Sequence, residues 1–323
     1  MIEYSNILGF NYNPSYARTV FEVWSMFDEE TITKELALGK AYFPRFNTIR
    51  IWLSYEEFRL NEDVFAAKFE TYLRICARFG LLAIPVLFNR WHDEVQDFGG
   101  LYIDHIVTGA NIVSRSEDRF NSFIEKIVGA HKDDTRILLW DICNEPFFWD
   151  KNEFTDFIRP YEAAWLRKIY GMCKEAGASQ PCSVSSLFPS REVLADVADI
   201  SDVFLLHPYH FSELKPDEEL LPVESFVKEL NELKAVAAEY NKPVFTTETC
   251  WGALDDDRRA EIVRRTLQAH KACGLGCVVH ALWYSRMPDL HTEEDGPVGY
   301  AGNLCFINKD GTIRKGHEVL NEF

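Results

Sequence analysis

Eight short apolar runs alternate with amphipathic stretches along 323 residues, and no Pro/Gly/Ser-rich linker or shift of composition divides them. Strands that alternate with helices in this way form a parallel sheet, and eight such units in a chain of this size close into a single (β/α)8 barrel. The sequence therefore predicts one α/β domain spanning residues 1–323. A doubly wound open sheet is the competing architecture. It requires a glycine-rich turn after the first strand, and Gly9-Phe10-Asn11-Tyr12-Asn13 supplies one glycine.

The elements follow from period and composition. The first strand is read at 7–12, followed by a helical stretch reaching 43, and the second strand at 46–53 by a helix at 64–79. Strands at 81–88 and 136–143 flank a helix at 117–130. A helix at 162–176 precedes extended segments at 181–187 and 202–206. The remainder reads as helix 223–240, strand 244–249, helix 256–272, extended chain 276–284 and a helical tail from 313.

Composition narrows the function before any motif does. Lys and Arg number 34 against 51 Asp and Glu, a net charge of −17, and no basic stripe appears. Nucleic acid and anionic membrane are poor partners for such a surface, and a neutral substrate suits it. No basic-then-apolar leader and no apolar run of roughly 20 residues occurs, so a soluble, cytoplasmic protein is expected. The cysteines, Cys76, Cys143, Cys182 and Cys277 among them, sit within apolar runs, which suits buried reduced thiols. Cys273 and Cys277 have no further ligand at metal spacing.

Chemistry enters at two strand ends. The apolar run Ile137-Leu138-Leu139-Trp140-Asp141-Ile142-Cys143 stops at Asn144-Glu145-Pro146, and Val244-Phe245-Thr246-Thr247 stops at Glu248-Thr249-Cys250-Trp251. In a barrel the C-terminal strand ends build the active site, so both glutamates are expected at one mouth. Glycosidic cleavage uses such a pair: one carboxyl protonates the leaving oxygen, and the other attacks the anomeric carbon or activates water. Other strands close on polar or aromatic residues too, namely Arg50 and Trp52, Asn89 to His92, His207 and Tyr209, and Trp283.

Asn144-Glu145-Pro146, His207-Pro208-Tyr209, Thr247-Glu248 and Trp283, in that order, resemble the active site of glycoside hydrolase family 5. The resemblance spans the chain and implies a retaining β-glycosidase on a (β/α)8 barrel that needs neither cofactor nor metal. It makes Glu145 the acid/base and Glu248 the nucleophile. It further implies that Arg50 and Tyr209 hold Glu248, that His207 tunes Glu145, that Asn144 meets the sugar 2-hydroxyl and that Trp283 floors the subsite of the scissile sugar. The third-strand loop, Asn89-Arg90-Trp91-His92 with Phe98-Gly99-Gly100 after it, is similar to the β-mannanase branch of the family. Trp91, His92 and Trp251 join the expected substrate-binding set, with Tyr12 and Trp149 as further aromatic walls.

A β-linked hexose oligosaccharide, preferably a β-mannoside, is the expected substrate. An endo-β-1,4-glucanase or exo-β-glucosidase of the same clan stands as the alternative. Two other classes compete: a carbohydrate-binding pseudoenzyme, whose signature would be loss of a glutamate, and a metal-dependent hydrolase drawing on His92, His207, His210 and His280. Oligomeric state is not legible in the sequence.

Overall fold

The computed structural model describes residues 3–89, 119–147, 153–210, 218–253, 255–285 and 304–323. Eight parallel strands close into a barrel in strict chain order: β1 (Leu8–Asn11), β2 (Thr48–Trp52), β3 (Leu82–Asn89), β4 (Trp140–Asn144), β5 (Cys182–Leu187), β6 (Phe204–His207), β7 (Val244–Thr246) and β8 (Cys277–Val279). Closure is made by β1 against β8, with Gly9 beside Val278. Gly9 is required there, because a Cβ would lie 2.6 Å from the Thr48 carbonyl oxygen.

The helices between strands are started by side chains that cap their free N–H groups. Thr19, Asp28, Ser54, Asn61, Ser190 and Asp255 each accept from the first turn of the helix that follows. Helix Asp256–Cys273 ends on Gly274 in the left-handed conformation. Among the described residues, no helix is long and apolar enough to cross a membrane.

Several boundaries differ from those read in the sequence. The stretch expected to be helical up to 43 is two helices, Val20–Ser25 and Glu29–Tyr42, because Asp28 caps a new start. Of the segment expected as helix 117–130, the first two residues lie outside the described ones; Arg119–Phe123 is α-helical, and the chain continues as π and 3-10 turns. The tail is not helical from 313: Gly316, at φ 77°, breaks the chain before a 3-10 segment at His317–Glu322.

Two apolar layers sandwich the strands. Phe10, Phe43, Phe46, Phe65 and Phe69 belong to the large outer core between barrel and helices. Ile7, Ile84, Leu138, Leu139, Val203, Leu205, Phe245 and Val278 form a separate cluster. Four of its members stand two residues before polar groups on the same strand or its extension: Leu139 before Asp141, Leu205 before His207, Phe245 before Thr247, Val278 before His280. Side chains two apart share a face, so this cluster is an apolar plug inside the barrel beneath the polar layer. Trp24, Trp140 and Trp165 are buried in the core, as their surroundings in the sequence suggest.

Candidate active site

Arg50 is the hub of the polar layer. It is fully buried on β2, and every guanidinium nitrogen is used. Nε and Nη2 donate to Asp141 Oδ2 at 3.0 and 2.8 Å, Nη1 to Asn11 Oδ1 at 2.9 Å and Glu248 Oε2 at 3.1 Å, and Nη2 also to Asn144 Oδ1 at 2.6 Å and Ser185 Oγ at 3.2 Å. Asp141 and Asn144 are three apart on β4, an odd spacing that would normally put them on opposite faces. The register against β5 shifts between them, and this irregularity turns both toward Arg50.

Glu145 and Glu248 follow β4 and β7 at one end of the barrel, both buried. One oxygen of each, with a ring nitrogen of His207, lie within 4.8 Å of one another. Glu248 Oε1 accepts from Tyr209 at 2.5 Å and lies 2.8 Å from His280 Nε2. Glu145 Oε1 lies 2.6 Å from His207 Nδ1, and His207 Nε2 lies 3.1 Å from Thr247 Oγ1.

These surroundings drive the two carboxyls apart. Burial, reinforced by the Glu248 charge, pushes Glu145 well above the usual carboxylate range, and Arg50 opposes this only in part. Burial pulls Glu248 the same way, but His280 and Arg50 beside it win and hold it well below that range. Burial drives His207 down to about 3, so its ring is neutral. A protonated acid thus faces an ionised carboxylate, which is the division of labour that glycoside cleavage requires.

Backbone strain is concentrated at this end. Glu145, Phe147, Phe188 and Cys250 have φ of 47°, 63°, 42° and 69°, and each lies one to four residues beyond a strand. A non-glycine residue in this region costs on the order of 1–3 kcal/mol and persists only where its surroundings impose it.

Most of the residues expected at the site converge. Arg50, Asn144, Tyr209 and Glu248 form one hydrogen-bonded group, Glu145 and His207 form a bonded pair beside it, and Trp251 packs edge-on against Tyr209 with ring centroids 4.9 Å apart. Asn144 Nδ2 gives one hydrogen to Asn89 at 3.0 Å, which leaves the other for a ligand.

Trp283 is 4% exposed, and its indole lies against Gly311, where an added Cβ would be 3.5 Å from Cη2 and 3.6 Å from Leu38. Tyr12 is not a cleft wall but fully buried, its hydroxyl donating to Glu35 at 2.7 Å. Trp91, His92, Trp149 and the Phe98-Gly99-Gly100 stretch lie outside the described residues.

Asn11, Asp141 and Ser185 are members that the sequence did not single out, and Thr247 entered only as the residue beside Glu248. The signal for Asp141 was an acid inside an apolar run. Among the described residues, His207 and His280 face the carboxylates, whereas His210 lies 2.9 Å from Ser225 Oγ; His92 lies outside them. The Glu145, His207 and Glu248 atoms have ligand-like spacing, but the Arg50 cation already bonds the same carboxylate. All eight cysteines are thiols, and all are buried.

Fold and site together define a glycoside hydrolase. The sequence matches the family described as Cellulase (glycosyl hydrolase family 5) over residues 33–286. The chain belongs to this family. No curated protein matches it. Among solved structures it is similar to GH5_18 from Streptomyces cattleya in complex with GlcNAc, at 16% identity and a TM-score of 0.75, covering 98% of this chain and 79% of that one. The exo-beta-1,4-mannosidase Op5Man5 from Opitutaceae bacterium strain TAV5 is 17% identical with a TM-score of 0.72, covering 98% of this chain and 58% of that one. A GH5_18 variant from Bifidobacterium longum subsp. longum in complex with Manb1-4GlcNAc is 18% identical with a TM-score of 0.71, covering 98% and 77%. At these identities the likeness speaks for the fold.

Proposed function

We propose that the chain is a retaining β-glycosidase that cleaves short β-mannosides by double displacement. The observation that carries the mechanism is the approach of Glu145 and Glu248 oxygens to within 4.8 Å. Retaining enzymes hold their carboxyls about 5–5.5 Å apart, whereas inverting enzymes leave roughly 6.5–9.5 Å for a water between them. Glu248, ionised, attacks the anomeric carbon while Glu145 gives its proton to the leaving oxygen. Glu145, now a base, then takes a proton from water, which displaces Glu248 with a second inversion.

The sugar preference rests on separate grounds. The Asn89-Arg90-Trp91 and Phe98-Gly99-Gly100 text has a mannanase character, and the similar structures include an exo-beta-1,4-mannosidase and a complex with Manb1-4GlcNAc. A buried polar contact to the axial 2-hydroxyl, with Asn144 suitably placed to make it, would discriminate against the epimer, since an unmatched partner costs about 1–3 kcal/mol.

The test is a panel of aryl β-mannoside, β-glucoside, β-galactoside and β-xyloside, with the anomer of the first product followed by NMR. The mannoside should be cleaved fastest and with retention. Azide should rescue Glu248→Ala as the α-glycosyl azide and Glu145→Ala as the β-product. First-formed product of inverted configuration would overturn the mechanism, and a preference for cellotriose over mannotriose would overturn the sugar.

A further inference from the structure

His280 follows directly on β8 and falls at the inward position above Val278. Its backbone N–H donates to the Thr249 carbonyl at 3.0 Å, so the ends of β7 and β8 are tied beside Glu248. Its ring Nε2 lies 2.8 Å from Glu248 Oε1, the oxygen that also accepts from Tyr209. The other ring nitrogen, Nδ1, is buried and has no hydrogen-bond partner among the described residues. A proton on Nδ1 would be a buried N–H without an acceptor, so the proton belongs on Nε2, where it is donated to the carboxylate.

A carboxylate offers about four lone-pair sites, two on each oxygen. Tyr209 and His280 fill both on Oε1. Arg50 fills one on Oε2, and His207 Nδ1 stands 3.8 Å away, too far for a hydrogen bond. We infer that His280 is a positioning residue that saturates Oε1 and so commits Oε2 to attack, an inference that rests on Glu248 being the nucleophile. In the first step the Oε2 electron pair forms the bond to the anomeric carbon. The glycosidic C–O bond breaks, and its electron pair takes the Glu145 proton. In the second step, water displaces Oε2, and the returning carboxylate charge is met by donors already in place at Oε1. Without His280 the carboxylate is free to offer either oxygen and loses a bond that favours its ionised form.

The charged and titratable groups around Glu248 are Arg50 from β2, Asp141 and Glu145 on and after β4, His207 and Tyr209 on and after β6, and His280. Wild type, His280→Leu and His280→Gln are to be compared by kcat/KM against pH on the fastest aryl glycoside. A 2-deoxy-2-fluoroglycosyl fluoride of the same sugar labels the nucleophile for mass spectrometry, and thermal denaturation checks folding.

Leucine should raise the acid limb by about one pH unit or more, as expected for loss of a hydrogen bond to a charged group, and lower the plateau about 10- to 100-fold. Glutamine, whose amide nitrogen reaches close to the Nε2 position, should restore the limb and most of the rate. An acid limb unchanged in His280→Leu, or glutamine no better than leucine, overturns the inference. Where His280→Leu does not fold, His280→Asn, too short to reach Oε1, takes its place. A label on a residue other than Glu248 in the wild type overturns the nucleophile assignment itself, which separates that failure from one confined to His280.

Discussion

Thr247 Oγ1 lies 3.1 Å from His207 Nε2, so the residue directly before one glutamate touches the histidine that touches the other. His207 is neutral and carries one ring proton. With the Thr247 hydroxyl donating to Nε2, that proton sits on Nδ1 and is donated to Glu145 Oε1. Oε2 then keeps the acidic proton free for a leaving group. Thr247→Val removes the donor and lets the alternative tautomer turn the Glu145 proton inward. The expected loss is about 10-fold in kcat/KM for substrates with poor leaving groups and under about 3-fold for activated aryl glycosides. Equal losses on both would remove the tautomer argument.

Arg50 holds two carboxylates and three neutral side chains with one planar fork, a geometry that an ammonium cannot reproduce. Arg50→Lys should leave several of these acceptors unpaired. It is expected to destabilise the protein by about 3–5 kcal/mol, the range for breaking a buried ion pair, and to lower kcat about 100-fold or more. Chemical denaturation and steady-state kinetics on the same preparation read both. A variant with wild-type stability would show that the fork is not what keeps Asp141 and Glu248 buried.

The opposite shifts of the two glutamates make the pH profile bell-shaped with assignable limbs. Glu248 acts ionised and is held low, so activity is lost as pH falls through its pKa. Glu145 acts protonated and is held high, so activity is lost as pH rises through its own. Glu145→Gln, assayed on a 2,4-dinitrophenyl glycoside that needs little protonation, should lose the basic limb and keep the acid limb. Persistence of the basic limb would reassign the acid.

Outside the site, Glu35 is buried against Tyr12 and Ser15, and burial pushes its carboxyl from 4.5 up to about 7. A group raised on folding favours the protonated native state. Its contribution is therefore fully present below pH 4.5, is lost as pH rises toward 7 and is absent above. The difference of about 2.5 pH units corresponds to about 3 kcal/mol. Glu35→Gln should flatten stability across this window, and urea melts at pH 4.5 and 7.5 would reveal it. Parallel pH dependence in variant and wild type would place the titration elsewhere.

The barrel was legible because eight apolar runs are spaced by helical periods, and the glutamates because each ends such a run. Arg50, His207 and Tyr209 stood out for the same reason: polar groups at the close of apolar text. Asn11 and Ser185 did not, because strands of a parallel barrel are buried on both faces and an inward polar residue leaves no mark in the alternation, and Thr247 stood out only as the neighbour of Glu248. His280 was visible only as a possible metal ligand, since no periodicity says that the end of β8 meets the carboxylate presented from β7. Two of the boundaries that shifted were local capping decisions, at Asp28 and at Gly316, made by single residues within otherwise helical text.

The apolar plug formed by Ile7, Ile84, Leu138, Leu139, Val203, Leu205, Phe245 and Val278 has a kinetic meaning. It makes the barrel a vessel with one opening. On the proposed mechanism, the first product must leave through the same mouth by which the second reactant arrives, and water has no private entrance. Any alcohol admitted to that mouth therefore competes with water for the glycosyl-enzyme directly, and the ratio of transfer to hydrolysis becomes a measure of what the rim admits. The loops that crown the strands can then turn a hydrolase toward synthesis while the plug and the Arg50 layer stay unchanged.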